Sequence, residues 1–232
     1  MTETQPTVAL ALGGGGARGY AHIHALEALD EMGIKPVAIS GSSIGALLGS
    51  GYAGGMSGAD MRAFALKNMG NKGEVAAGIW RMRPRSFSGA FEGGLRLGQL
   101  DVKGALKAFL PQDWPTTFDA LKIPLSIVVT DFYDEKERVI ESGDLFEAIG
   151  ASAAIPAIFQ PVKCANRICI DGGIMNPVPF DLLHGRADII LAIDVVGGPI
   201  GEQTKIPGNM DCLLYTSPSP RDLSTSRMPS SA

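Results

Sequence analysis

The chain has 232 residues, of which 45% are hydrophobic and 19% charged, and this is enough to bury one full hydrophobic core. The formal net charge of −4 gives no electrostatic basis for binding nucleic acid. Because no apolar run approaches the length of a membrane span or signal peptide, and the cysteines fit a reducing compartment, a cytoplasmic protein is expected.

The first part of the chain predicts strands that alternate with helices. Val8 to Leu12 is predicted as a buried strand, and a helix is predicted from about Gly19 to Met32. A second strand, Val37 to Ile39, leads into a helix of small residues that runs to about Tyr52. Ser57 is expected to cap the next helix, which runs to about Asn68. This order is typical of a parallel sheet covered by helices.

The rest of the chain predicts further elements of the same sheet. Helices are predicted at Asp101–Leu110 and Leu145–Ile149, and strands at Pro124–Phe132, Arg138–Glu141, Val162–Ile170 and Ile189–Val196. The last of these strands is expected to be buried and parallel. Cys164 and Cys169 differ by an odd number of positions in one predicted strand, so they are expected to face opposite sides and not to pair.

A glycine-rich stretch, residues 78–98, mixes large apolar and basic side chains. It contains Trp80, Arg81, Met82, Arg83, Arg85, Phe87 and Phe91. Two interpretations stay open: a packed surface loop with solvated arginines, or a mobile flap that contacts an anionic lipid surface.

The composition changes abruptly near the end of the chain. Residues 212–232 are rich in Ser, Pro, Thr and Arg and show neither helical nor strand periodicity. The run from Leu213 to Arg221 resembles the translation of a sequencing adapter. We therefore expect residues 1–211 to form the domain, incomplete at its C-terminus, and residues 212–232 to be a disordered, non-native tail.

The motif Gly41-Ser42-Ser43-Ile44-Gly45 lies between the second predicted strand and its helix. Glycines two positions before and after a serine permit the sharp strand-to-helix turn that exposes a nucleophilic hydroxyl. At a helix N-terminus, free N–H groups favour the negative charge that develops during attack. Ser43 is therefore a candidate nucleophile, and the alternative is that it only caps the helix.

The glycine-rich stretch Gly14-Gly15-Gly16-Ala17-Arg18-Gly19 follows the first predicted strand. Its G-x-G-x-x-G pattern suggests a dinucleotide site, but the next strand ends in Val37-Ala38-Ile39-Ser40 without the acidic residue that such a site needs. The same N–H groups can instead form an oxyanion hole, with Arg18 either as a nearby cation or in a surface salt bridge. No cofactor is predicted, and no metal-ligand spacing occurs.

A third motif, Asp171-Gly172-Gly173, follows the predicted strand Val162–Ile170. Alone, this sequence is typical of a simple turn. The three motifs in this order, together with Ser152–Pro156 and Asn176–Pro179, resemble the patatin-like phospholipase family over about residues 7–197.

This resemblance implies a three-layer α/β/α sandwich with a mainly parallel central sheet, and hydrolysis of carboxylic ester bonds in lipids. It implies a Ser–Asp dyad without histidine, in which Ser43 is the nucleophile and Asp171 its base. The other implied site residues are Gly14, Gly15, Gly16, Ala17, Arg18 and Gly19 in the oxyanion hole, Gly41, Ser42, Ile44 and Gly45 in the nucleophile turn, and Gly172 and Gly173 after the aspartate. The implied partner is a lipid ester, with peripheral membrane contact and no nucleic acid.

Two alternatives differ from this interpretation. Ser43, Asp171 and His184 have the chain order of an α/β-hydrolase triad, although His184 is predicted at a helix end and only two strands precede Ser43. The other alternative is an inactive lipid-binding module that keeps the fold without turnover.

Overall fold

The computed structural model describes residues 5–69, 101–111, 113–156 and 158–196. The strands are β1 (Val8–Leu12), β2 (Ala38–Ser42), β3 (Leu125–Asp131), β4 (Lys136–Ile140), β5 (Val162–Cys164), β6 (Arg167–Asp171) and β7 (Ile189–Ile193). The α-helices are α1 (Ala21–Glu31), α2 (Ile44–Gly54), α3 (Gly58–Met69), α4 (Val102–Phe109) and α5 (Leu145–Ser152). Short 3-10 turns occur at Gly16–Tyr20, Phe118–Ala120, Gly172–Ile174 and Asp181–Leu183. The predictions for residues 78–98 and 212–232 fall outside the described residues.

The described strands form one mixed seven-stranded sheet, which confirms the predicted α/β fold. Its hydrogen-bonded neighbours run β5-β6-β3-β2-β1-β7, and β4 also pairs with β3. The strands β7, β1, β2 and β3 are parallel. The strands β4 and β6 run antiparallel to β3, and β5 runs antiparallel to β6.

Alternate residues of β1 point into two apolar clusters on opposite faces of the sheet. Leu10 and Leu12 belong to the larger cluster, which the α-helices cover. Ala9 and Ala11 pack with Val178 and Leu183, beside the 3-10 turn Asp181–Leu183. The cluster under the helices contains many more buried residues than the other. Since full burial of each leucine-sized side chain contributes about 1.5–3 kcal/mol, this cluster supplies most of the stabilisation by the core.

The predicted strand Val162–Ile170 is wrong in one respect, because the chain reverses within it. Ala165 and Asn166 adopt positive φ angles of 47° and 61°, and they form a tight turn between β5 and β6. Val162 is opposite Cys169 in this hairpin and shares a face of β5 with Cys164. The two cysteines therefore lie on the same face, contrary to the prediction, and both are buried and free.

The predicted strand Ile189–Val196 is parallel as expected, but it is not buried. It pairs with β1 on one side, and within the described residues it has no partner on the other. Ile189 and Leu191 are 48% and 39% exposed. The burial of a strand depends on its neighbouring strands and on the elements that cover the two faces of the sheet, which its own sequence does not specify. In the described part of the chain, every helix is too short or too polar to cross a bilayer.

Candidate active site

The pairing of β3 explains how two residues separated by 128 positions meet. Residues 129–131 of β3 pair with both β4 and β6, while residues 127–128 pair with both β4 and β2. The strands β2 and β6 therefore share one edge of β3, and they approach each other from opposite directions. Since Ser42 lies opposite Val128 and Asp171 lies opposite Val129, the carboxyl ends of β2 and β6 meet.

Ser43 occupies the turn between β2 and α2 in a conformation that is rare for a residue with a side chain. Its φ and ψ angles are 52° and −121°, and such strain is characteristic of functional turns. The flanking glycines make this turn sterically possible, because a Cβ on Gly45 would overlap the carbonyl of Leu12 and one on Gly41 would lie 2.7 Å from Ala46 Cα. The turn directs Ser43 Oγ to Asp171 Oδ2, to which it donates a hydrogen bond of 2.6 Å.

Asp171 is only 6% exposed, and its carboxylate is held on both oxygens. Oδ2 accepts the Ser43 hydroxyl, and Oδ1 accepts the N–H of Gly173 at 2.7 Å. Burial raises the pKa of Asp171 to about 6, although the hydrogen bonds from Ser43 and Gly173 lower it in part. The carboxylate is thus ionised at neutral pH and basic enough to accept a proton. A Cβ on Gly172 would overlap Val128 O, so the turn after Asp171 requires glycine there.

The glycine-rich stretch begins beyond β1 and continues as the 3-10 turn Gly16–Tyr20, so the predicted helix from Gly19 is α-helical only from Ala21. Gly15 and Gly16 have φ angles of 152° and 53°. The N–H of Gly14 donates to Pro177 O at 2.8 Å, so it is already used in holding the loop. Arg18 Nη1 donates to Val196 O at 2.9 Å.

Four further predicted site residues lie in or next to these two turns: Ser42 and Ile44 flank Ser43, and Ala17 and Gly19 belong to the glycine-rich stretch. Ala17 and Gly19 lie in the 3-10 turn, and a Cβ on Gly19 would overlap the side chain of Ile44. The hydroxyl of Ser42 is fully buried next to Gly172 and has no hydrogen-bond partner.

The contacts that the structure gives for His184 and His22 are with groups other than Ser43 and Asp171. His184 is exposed, and its ring packs edge-on against Phe180 with centroids 6.1 Å apart. His22 is buried, and its Nε2 lies 2.8 Å from Gly13 O. Burial lowers the pKa of His22, so its neutral ring supports the glycine-rich loop. The direct contact between Ser43 and Asp171 leaves no position between them for the histidine of a triad.

Asp131 acts as a turn former. Its Oδ1 accepts the N–H groups of Tyr133 at 3.2 Å and Asp134 at 3.1 Å. Among the residues that the structure describes, no group of three or more His, Cys, Asp or Glu side chains could hold a metal ion.

A small apolar cavity of about 40 Å³ has Ile44, the residue after Ser43, in its wall. Its walls are formed by apolar and aromatic side chains, among them Tyr20, Ile44, Leu47, Ala65 and Trp114. Ile44 directly follows Ser43 and packs against Gly19, so the cavity adjoins both the turn at Ser43 and the glycine-rich loop.

Residues 10–184 match the family model of patatin-like phospholipases, and this range contains all three motifs. The chain belongs to the patatin-like phospholipase family. The family predicted from the motifs is therefore confirmed.

Three relatives illustrate how this patatin-like domain occurs in longer proteins. An NTE family protein of Mycobacterium tuberculosis is 37% identical over 86% of this chain and 52% of that protein. Patatin-like phospholipase domain-containing protein 6 of Homo sapiens is 30% identical over 83% of this chain and 14% of that protein. Lysophospholipase nte1 of Aspergillus fumigatus is 28% identical over 85% of this chain and 12% of that protein. The chain thus spans about half the length of the mycobacterial relative and less of the other two.

Ser152 contacts the site but is absent from the predicted set. Ser152 Oγ accepts the N–H of Ser43 at 2.8 Å. Its only signal in the sequence is its place in Ser152–Pro156, one of the segments that resemble the family.

Proposed function

We propose that this chain hydrolyses carboxylic ester bonds of lipids, with Ser43 as the nucleophile and Asp171 as the general base. The observation that carries the proposal is the 2.6 Å hydrogen bond from Ser43 Oγ to Asp171 Oδ2. A nucleophile and a base in direct contact, at a strained strand-to-helix turn, are the geometric requirement for covalent catalysis.

In the first half of the reaction, Asp171 accepts the hydroxyl proton while Ser43 Oγ attacks the ester carbonyl carbon. The tetrahedral intermediate collapses, the bond to the alcohol oxygen breaks, and protonated Asp171 returns its proton to that oxygen. An acyl-enzyme on Ser43 results. In the second half, Asp171 takes a proton from water, whose oxygen attacks the acyl carbon, and the released Ser43 oxygen receives the proton.

The negative charge on the intermediate needs donors on the opposite side of Ser43 from Asp171. We assign this role to the N–H groups of Gly15, Gly16 and Ile44, since the N–H of Gly14 donates to Pro177 O. Ile44 is the first residue of α2, where the helix leaves its N–H groups without internal acceptors. One such donor typically contributes about 3–4 kcal/mol of transition-state stabilisation.

Two observations favour a lipid acyl chain as the group transferred. The cavity lined by Ile44, the residue after Ser43, has apolar and aromatic walls, which suit a hydrocarbon chain and not a polar acyl group. A relative with 28% identity is named a lysophospholipase. A phospholipase A or lysophospholipase activity is therefore the specific form of the proposal. Peripheral contact with a membrane stays a prediction.

The proposal is tested with purified wild-type chain and the variants Ser43→Ala and His184→Ala. Release of fatty acid from lysophosphatidylcholine is measured, with a short soluble ester as a second substrate. We expect Ser43→Ala to abolish both activities and His184→Ala to retain both. Loss of activity in His184→Ala would support the triad instead. A folded wild-type chain that hydrolyses neither substrate would support the inactive binding module.

A further inference from the structure

Ser152, the last residue of α5, connects the nucleophile to the middle of the sheet. Its side chain is completely buried. Its Oγ accepts the N–H of Ser43 at 2.8 Å and donates to the carbonyl of Val128 at 2.6 Å. Because a hydroxyl has a single proton, the N–H donor and the carbonyl acceptor together determine its orientation.

The hydroxyl occupies the place of a ladder hydrogen bond between β2 and β3. Ile39 N–H donates to Pro124 O at 2.9 Å, and alternate residues of a parallel strand point their N–H groups toward the same neighbour. Ser42 lies opposite Val128. If β2 continued in this regular pattern for one more residue, the N–H of Ser43 would therefore donate to Val128 O. Ser152 Oγ lies between these two groups and bonds to both, so Ser43 leaves the strand while its N–H stays satisfied.

The same segment also holds the base. Two residues after Ser152, the carbonyl of Ala154 accepts the N–H of Asp171 at 3.1 Å. Thr130 Oγ1 donates to the carbonyl of Asp171 at 2.9 Å, which anchors the other side of that residue to β3. Residues 152–154 thus make one hydrogen bond to the backbone of each partner in the Ser43–Asp171 contact.

We propose that Ser152 is a positioning residue for the dyad: its hydroxyl holds the backbone of Ser43 in the conformation that places Oγ against Asp171. This inference rests on the proposed function, and it adds a role for a residue that touches neither substrate nor the reacting atoms. A misplacement of about 1 Å in a reacting group can cost about 100-fold in rate, so the loss of one positioning hydrogen bond has a large effect on kcat.

The test compares Ser152→Ala with Ser40→Ala as a matched control. Ser40 is also completely buried, lies on β2, and donates its hydroxyl to a backbone carbonyl, Pro179 O, at 2.7 Å. We expect Ser152→Ala to lower kcat on a soluble ester by about 100-fold with KM changed less than about twofold. We expect Ser40→Ala to lose thermal stability but to keep the wild-type kcat.

A second readout separates positioning from a general loss of structure. The hydrogen bond from Ser43 lowers the pKa of Asp171, so its weakening in Ser152→Ala must move the acid limb of the pH–rate profile to higher pH. The control Ser40→Ala must leave that limb in place. If Ser152→Ala does not fold, Ser152→Cys keeps a weaker donor and acceptor there, and we expect an intermediate kcat from it.

The outcomes distinguish this inference from the proposed function. If the wild type is active, and the Ser152 variant and Ser40→Ala have the same kcat and the same acid limb of the pH–rate profile, the positioning role is overturned and the proposed function is not. A folded wild type that neither hydrolyses esters nor reacts with a fluorophosphonate would overturn the proposed function itself, and the positioning role with it.

Discussion

Replacing Asp171 by asparagine should make the fold more stable at neutral pH and at the same time abolish hydrolysis. Burial raises the pKa of this carboxyl from 3.8 to about 6, so the folded state resists its ionisation. At about 1.4 kcal/mol for each pH unit, the charged Asp171 costs the fold about 3 kcal/mol above pH 6. Asparagine has a similar shape and keeps an acceptor for the Gly173 N–H, but it carries no charge.

The pH dependence has a definite sign. A carboxyl whose pKa is raised on folding binds more protons in the folded than in the unfolded state between the two pKa values. The wild type therefore loses stability as the pH rises from about 4 to about 6, while Asp171→Asn does not show this loss. Urea unfolding of both proteins between pH 5 and 7.5 measures the difference, which should grow by more than about 1 kcal/mol over this range.

Asp188→Asn provides a control of opposite sign. Hydrogen bonds from the N–H and hydroxyl of Thr7 lower the pKa of Asp188, so its charge stabilises the fold above its unfolded pKa and that contribution is lost as the pH falls. Asp188→Asn should be the less stable protein at neutral pH. If Asp171→Asn were also less stable than wild type at pH 7.5, the inference of a strained, buried base would be refuted.

Three further predictions concern activity and packing. The rate of hydrolysis should fall about tenfold for each pH unit below about 6, as Asp171 becomes protonated, and a pH–rate profile measures this. Gly45→Ala should destabilise the fold by about 3 kcal/mol or more because its Cβ would overlap Leu12 O. Gly49→Ala, on the same helix, is the control: its Cβ would have its nearest contact at 3.3 Å, so thermal unfolding should show that it is tolerated. Ala65→Leu should fill the cavity beside Ile44 and shift the preferred substrate to shorter acyl chains in a series of esters, and an unchanged chain-length profile would exclude this cavity as the acyl site.

Much of the fold follows from local patterns in the sequence. The strand predicted at Val8 to Leu12 has the same bounds as β1, and the β-branched segment after Pro124 forms β3. These strands are predictable because each is a short apolar segment bounded by glycine or proline. The turn at Ala165-Asn166 was not predicted, since it lacks the Asn-Gly or Asp-Gly pair that marks most tight hairpins.

The sequence predicts Ser43 and Asp171 as members of two separate motifs, but it does not specify the distance between them. Their distance depends on β2 and β6 meeting along one edge of β3, which is a property of strand register and not of either motif. Ser152 is a stronger example, because its hydroxyl reaches a residue 109 positions away in the chain. A sequence shows that a serine is present, but the groups that hydrogen-bond to its hydroxyl are determined by the tertiary fold.

Reaction with a fluorophosphonate probe, followed by mass spectrometry of the labelled peptide, tests the Ser43–Asp171 dyad most directly. We expect one adduct on Ser43 in the wild type, none in Ser43→Ala, strongly slowed labelling in Asp171→Asn, and wild-type labelling in His184→Ala. An adduct on another residue, or labelling that depends on His184 and not on Asp171, would contradict the dyad.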